Sequence, residues 1–187
     1  MEILQGRRSL IGGDITVEDL SSLLWHSTSL RERQTGGRFG LPWESRPAPS
    51  VGGLHAMRVV VMPLGDPSTA GEYVPDVHGI APIDAEALEI NRASLAEMLD
   101  CGTGTTLQLA CDVDLLEACY SNAGSLLWRE AGALSATICQ VATGLGLTSV
   151  MLGRTGDGIL RAAGIDRRLV GAGAVQVGSF PTRLGEP

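Results

Sequence analysis

The sequence predicts an α+β sandwich: a mainly antiparallel sheet flanked by helices. Leu127, Ala131, Leu134, Ile138, Val141 and Leu145 step by four and three, one apolar stripe over about five turns of a single long helix. Short apolar runs at 57–63, 105–111, 148–152 and 174–178 have the length and composition of strands. Strands and helices intermix along the chain, which gives an α+β arrangement.

Thr16 is the expected N-cap of the first helix, with Asp19 near the capping-box position and Val17, Leu20, Leu23 and Leu24 on one face. Residues 28–55 lack periodicity and are rich in Gly, Pro and Arg. Arg31, Arg33, Arg38 and Arg46 stand there against Glu32 and Glu44, so the loop is locally basic. Loops of this length in a compact domain are usually functional or mobile. Residues 57–63 read as a buried strand. Gly71–Ile83 reads as a hairpin turning at Pro75, Asp76 and Gly79. Ala85–Leu99 has a helical pattern, and Thr105–Cys111 that of a strand. The long helix meets its stop signal at Gly144 and Gly146. Thr148–Leu152 then reads as a strand, Asp157–Ala163 as a short helix ended by Gly164, and Ala174–Gly178 as the last strand. With no internal repeat, residues 1–187 are expected to form a single domain.

Hydrophobic residues make up 44% and charged residues 19% of the chain, as in a folded globular protein. Three tryptophans, two tyrosines and two phenylalanines leave the core to aliphatic side chains. The net charge of -7 argues against nucleic acid as a partner, since phosphate neutralisation needs a basic face. All fourteen basic residues besides histidine are arginine. Schiff-base chemistry, a phosphate-loop lysine and a lysine general base are therefore excluded. Cys101, Cys111, Cys119 and Cys139 are not spaced for zinc, and Cys139 falls in an apolar helix pattern as a small buried hydrophobe. No apolar run of about 18 residues and no charged-then-apolar leader occurs, so a soluble cytoplasmic protein with no membrane association and reduced thiols is expected.

Three separated stretches are complementary to one ligand, flavin mononucleotide (FMN). Its phosphate dianion needs guanidinium groups, its ribityl chain short polar side chains, and its flat ring close backbone or aliphatic cover. Arg7-Arg8-Ser9 meets the first two needs, and Pro49-Ser50-Val51-Gly52-Gly53 before the first long strand meets the third. Gly153, after the Thr148–Leu152 strand, offers a backbone amide to the ring edge, and Arg183 a second route to the phosphate. Taken singly, each stretch also has a plain reading: surface arginines, an ordinary turn, a strand end, a frayed tail.

In order and spacing, Arg7-Arg8-Ser9, the Pro49–His55 turn and Glu130-Ala131-Gly132 leading to Gly144-Leu145-Gly146-Leu147 resemble the nitroreductase superfamily of flavoproteins. They are most similar to its SagB-type branch, which includes dehydrogenases that oxidise azolines in peptide natural products. Gly71-Glu72-Tyr73 and Asp76-Val77-His78 are similar to a hairpin of that branch, and the resemblance spans about residues 5–180. It implies a three-layer α+β sandwich that forms a homodimer with two FMN sites at the subunit interface. Arg7, Arg8 and Ser9 would lie at the phosphate and ribityl end, Pro49, Ser50 and Gly52 against the ring in part from the neighbouring subunit, and Gly153 by the ring edge. The chain departs from the family at two places. Ile11 stands where a basic residue is usual near the pyrimidine edge. Ala118-Cys119-Tyr120 stands in place of a Lys-Tyr pair, and the usual downstream Arg and Tyr are replaced within Asn122–Ser125.

Three readings follow. In the first the chain is an FMN-dependent dehydrogenase acting on a peptide or natural-product intermediate, with Tyr120 assisting proton transfer, although Tyr120 also reads as a plain core tyrosine. In the second it reduces nitro compounds or quinones with NAD(P)H, the 28–46 arginines attracting the nicotinamide phosphate. In the third it is a degenerate partner subunit that binds FMN weakly or not at all.

Overall fold

The computed structural model describes residues 2–37, 40–165 and 168–180. In chain order its elements are α1 (Glu2–Gly6), α2 (Val17–Thr28), β1 (Glu32–Gln34), β2 (Trp43–Ser45), β3 (Met57–Pro63), β4 (Gly71–Val74), β5 (Gly79–Ala81), α3 (Glu86–Ala96), β6 (Thr105–Asp112), α4 (Val113–Glu117), α5 (Ala123–Gly144), β7 (Leu147–Leu152), α6 (Asp157–Ala162) and β8 (Leu169–Ser179). Six strands form one sheet in the order β5-β4-β3-β6-β8-β7, with every neighbouring pair antiparallel.

The period-two alternation of β3 decides how the layers stack. Val59 and Val61 enter a core shared with Leu20, Leu23 and Leu24 of α2 and with Leu127, Leu134 and Ile138 of α5. Val60 and Met62 enter a second core with Ala87 and Leu88 of α3 and Ile159 and Leu160 of α6. The sheet is thus sandwiched between α2 and α5 on one face and α3 and α6 on the other, the three-layer arrangement the resemblance implies. Among the described residues no helix is long and apolar enough to cross a membrane.

The expected punctuation is present. Thr16 caps α2, its side-chain oxygen accepting from the Asp19 N–H at 3.0 Å. Elsewhere the structure extends or corrects the sequence reading. Residues 28–55 contain the two-stranded ribbon β1–β2, whose first strand, Glu-Arg-Gln, has no buried residue and carries no apolar alternation. The last strand begins at Leu169 rather than Ala174, and α5 begins at Ala123. Val17 does not join the core: it is 60% exposed and lines an open cleft against Ile80. Leu145, at the end of the apolar stripe, is likewise exposed because it follows the last turn of α5.

Candidate functional site

The Pro49–His55 segment folds as a tight turn around a short 3₁₀ stretch, Val51–Gly53. Gly52 and Gly53 have φ of +60° and +66°, in the left-handed region that favours glycine. Their missing side chains are required by the chain's own packing. A Cβ on Gly52 would lie 2.7 Å from the Tyr120 phenol oxygen, and one on Gly53 would lie 2.3 Å from the Trp43 ring. The turn is therefore held between an aromatic ring from β2 and the tyrosine that precedes α5. Pro49 and Gly52 are exposed, so the outer surface of the turn is backbone and ring carbons.

Ser50 faces inward. Its hydroxyl donates to Glu130 Oε2 at 2.6 Å and accepts from the His55 N–H at 2.8 Å, while the Val51 N–H donates to Glu130 Oε1 at 2.6 Å. Glu130 lies on the buried face of α5. Sequence reasoning placed Glu130 in a motif and missed this contact. The available signal was an acidic residue interrupting the stripe between Leu127 and Ala131.

Below the turn, the His55 ring is buried with Nε2 3.1 Å from the Glu44 carbonyl oxygen. A carbonyl only accepts, so Nε2 carries the hydrogen. Burial, reinforced by the Arg46 charge, pushes the His55 pKa down to about 4. Glu44 joins two arginines. Arg33 donates to its Oε1 at 2.6 Å and also reaches Asp76 at 2.6 Å, while Arg46 donates to Oε2 through Nε at 2.8 Å and through Nη2. Burial pushes the Glu44 carboxyl up, but the hydrogen bonds and charges of Arg33 and Arg46 outweigh it and hold the group below the usual carboxylate range. The charges of Arg33 and Arg46 are thus matched by Glu44 and Asp76, which removes both from the basic surface the sequence suggested. Arg38 lies outside the described residues.

The N-terminal motif sits at the β7 edge of the sheet. Ser9 bridges Ser149 in parallel fashion, and the Leu10 N–H donates to the Ser149 carbonyl at 3.1 Å. This places Arg7 and Ser9 in a cleft of about 430 Å³ whose other walls are Leu4, Ala136, Cys139, Gln140 and Met151. The Cys139 thiol is buried beneath it; burial raises its pKa, opposed by the neighbouring Ser149 side chain and by the Arg7 charge. Arg8 turns away, donating to the Gln5 and Arg7 carbonyls at 2.7 and 2.9 Å. Gly153 follows β7 on the surface, with open space where a side chain would be. Ile11 is 43% exposed. Arg183 lies outside the described residues.

The expected site residues therefore fall into two groups. Arg7, Ser9 and Gly153 gather around β7, while Pro49, Ser50, Gly52 and Tyr120 gather beside Glu130. Both groups touch α5, and Glu130 is separated from Ala136–Gln140 by roughly 9–15 Å of helix rise. The outward stripe between them, Trp128, Gly132, Ala136, Gln140 and Gly144, is exposed and carries no charge. Beside it, Ile3 and Leu4 of α1 line an open groove of about 450 Å³ with His26, Val141, Gly144 and Leu145.

No protein-family model and no curated protein matches the sequence. Solved structures do. A nitroreductase from Ralstonia eutropha JMP134 superposes with a TM-score of 0.70 at 18% identity, over 97% of this chain and 83% of that one. A chain of the E. coli microcin synthetase McbBCD complex, solved with truncated pro-MccB17 bound, gives 0.72 at 17% identity, over 94% and 70%. A nitroreductase from Desulfovibrio desulfuricans in complex with FMN gives 0.59 at 19% identity, over 100% and 95%. At these identities the likeness establishes the fold, which is that of the nitroreductases.

Proposed function

We propose that the chain is an FMN-dependent oxidoreductase, working as a homodimer on a peptide or other natural-product intermediate. The observation that carries this reading is the cleft at Arg7 and Ser9: a guanidinium and a hydroxyl beside aliphatic walls from Leu4, Ala136 and Met151. Its volume of about 430 Å³ falls within the usual span of small-molecule sites, roughly 300–1,000 Å³. The residues fit the group: Arg7 would neutralise the phosphate, Ser9 would hydrogen-bond the phosphate or ribityl oxygens, and the aliphatic walls would cover the ring. Bound there, FMN would supply hydride exchange with the substrate.

The outward stripe of α5, beside which Arg129 is the one exposed charge of that helix, supports a second copy as the partner of this face, since solvent-facing helix surfaces ordinarily carry more charge. Such pairing would bring the exposed Pro49–Gly52 surface of one protomer toward the Arg7 cleft of the other. Tyr120 would hold its hydroxyl at the edge of that surface, in position to give or take a proton at the substrate. The microcin synthetase neighbour supports a peptide substrate and a further partner protein for the assembly. The four cysteines are unpaired thiols, as a reducing cytoplasm would keep them.

The test is the visible spectrum of the purified protein before and after incubation with FMN. A flavin band that stays with the protein through gel filtration supports the reading. A protein that remains colourless after reconstitution overturns it and leaves a non-catalytic partner subunit. Rapid bleaching of bound flavin by NADPH alone would move the assignment to a nitro or quinone reductase.

A further inference from the structure

Glu130 is 5% exposed and sits in the apolar face of α5 with Leu127, Ala131 and Leu134. Among the described residues no arginine forms an ion pair with it. Its two carboxylate oxygens instead accept from two neutral donors on one turn, the Ser50 hydroxyl and the Val51 N–H, each at 2.6 Å. The first of these extends inward, because Ser50 Oγ also accepts from the His55 N–H at 2.8 Å. A buried carboxylate is costly unless its oxygens are satisfied, and hydrogen bonds to a charged acceptor are the stronger kind. The three bonds fix Ser50, Val51 and His55, which flank the two glycines of positive φ, and so fix where Gly52 meets the Tyr120 hydroxyl.

We propose that Glu130 is the positioning residue of this turn: one carboxylate, acting through Ser50 and Val51, sets the exposed Gly52 backbone against Tyr120 and holds that surface ready for the flavin ring. What the turn faces rests on the FMN reading above; the clamp itself does not. Ser50 is accordingly an internal link whose hydroxyl is engaged by protein, and the ligand-facing atoms are those of Pro49 and Gly52.

The experiment is residue-resolved amide hydrogen exchange on the protein as purified, with E130Q, E130A and S50A compared with the parent chain. Loss of a hydrogen bond to a charged acceptor corresponds to about tenfold faster exchange or more. E130A is expected to show this at Val51, and E130Q, which keeps an acceptor of the same shape, to recover most of the protection. S50A is expected to release His55 while leaving Val51 protected. This residue-by-residue pattern separates a clamp from general loosening, which would speed exchange across α5 as well. Should E130A fail to fold, E130D, whose shortened carboxylate no longer reaches both donors, takes its place at Val51. Unchanged exchange at Val51 in E130A, or in E130D where that variant stands in, overturns the proposal. In parallel, FMN affinity should fall about tenfold or more in E130A and recover in E130Q. A parent protein that binds no FMN sinks the cofactor reading alone, because the exchange pattern still decides the clamp.

Discussion

The imidazole of His55 and the backbone carbonyl of Glu44 are 3.1 Å apart, and the same Glu44 extends its side chain to Arg33 and Arg46. One residue therefore serves the turn twice. Its carbonyl fixes the tautomer of the buried histidine, and its carboxylate holds Arg46, whose charge adds to the burial that keeps that histidine neutral.

Acid should destabilise the protein in two separate windows. His55 titrates near 4 in the folded chain against 6.5 when unfolded. As pH falls below 6.5 the unfolded state takes up a proton that the folded state refuses, so stability drops until about pH 4, by about 3 kcal/mol. Glu44 and Asp76 have depressed folded values, so their contribution is present above the ordinary carboxylate range and disappears as pH falls below it. H55N should flatten the upper window and leave the lower one, since Asn tolerates the φ of +47° at this position. Urea unfolding at pH 7, 5, 4 and 3 reads the difference.

Loss of Glu44 and loss of Asp76 should differ sharply although both carboxylates bind Arg33. The Arg46 side chain is 4% exposed, so E44A strands a buried guanidinium and should cost about 3–5 kcal/mol. Arg33 and Asp76 are 39% and 41% exposed, and D76A should cost about 1 kcal/mol or less. Equal losses in chemical denaturation would contradict this division of the network.

The layers were legible because burial repeats with the period of each element. The α5 stripe and the alternation in β3 write the two cores directly into the sequence. The ribbon β1–β2 was not legible, because Glu32, Arg33 and Gln34 are held by backbone pairing and ion pairs that carry no apolar period. The site was legible by residue type only in part. The glycines of the turn signalled close approach correctly, but the atoms that approach them belong to Tyr120 and Trp43. Glu130 was opaque for a related reason: it lies 80 positions from Ser50, and only the fold brings them together.

Gly53 should tolerate no side chain. Alanine there would hold a φ of +66° and place its Cβ 2.3 Å from the Trp43 ring, so G53A should cost at least about 1–3 kcal/mol. Gly124, in the first turn of α5, has open space around it and no positive φ. G124A should be neutral or stabilising by up to about 1 kcal/mol. Thermal melts of the two variants are the comparison.

The two neighbouring arginines of the N-terminal motif should separate in cofactor titrations. Arg7 lines the cleft, whereas Arg8 is folded onto the Gln5 and Arg7 carbonyls. R7A should weaken FMN by about tenfold or more, the scale of one charge-assisted contact, and R8A by distinctly less. A larger effect of R8A would mean that the segment rearranges around the phosphate.

Breaking the pairing of two copies should also break the cofactor site. Gly132 lies at the middle of the uncharged stripe of α5 but does not line the Arg7 cleft, so G132E places a charge on the proposed interface without touching the phosphate end. Its position is exposed and the added Cβ meets nothing within 4 Å, so the monomer should keep its fold. Light scattering after gel filtration should then report a monomer in place of a dimer. FMN affinity should fall by about tenfold or more, because in the proposed dimer the Pro49–Gly52 surface that covers the ring belongs to the lost partner. The joint outcome is what matters. A G132E monomer that binds FMN as tightly as the parent dimer would show that each chain holds a complete site. A G132E dimer would show that α5 is not the face through which the copies meet.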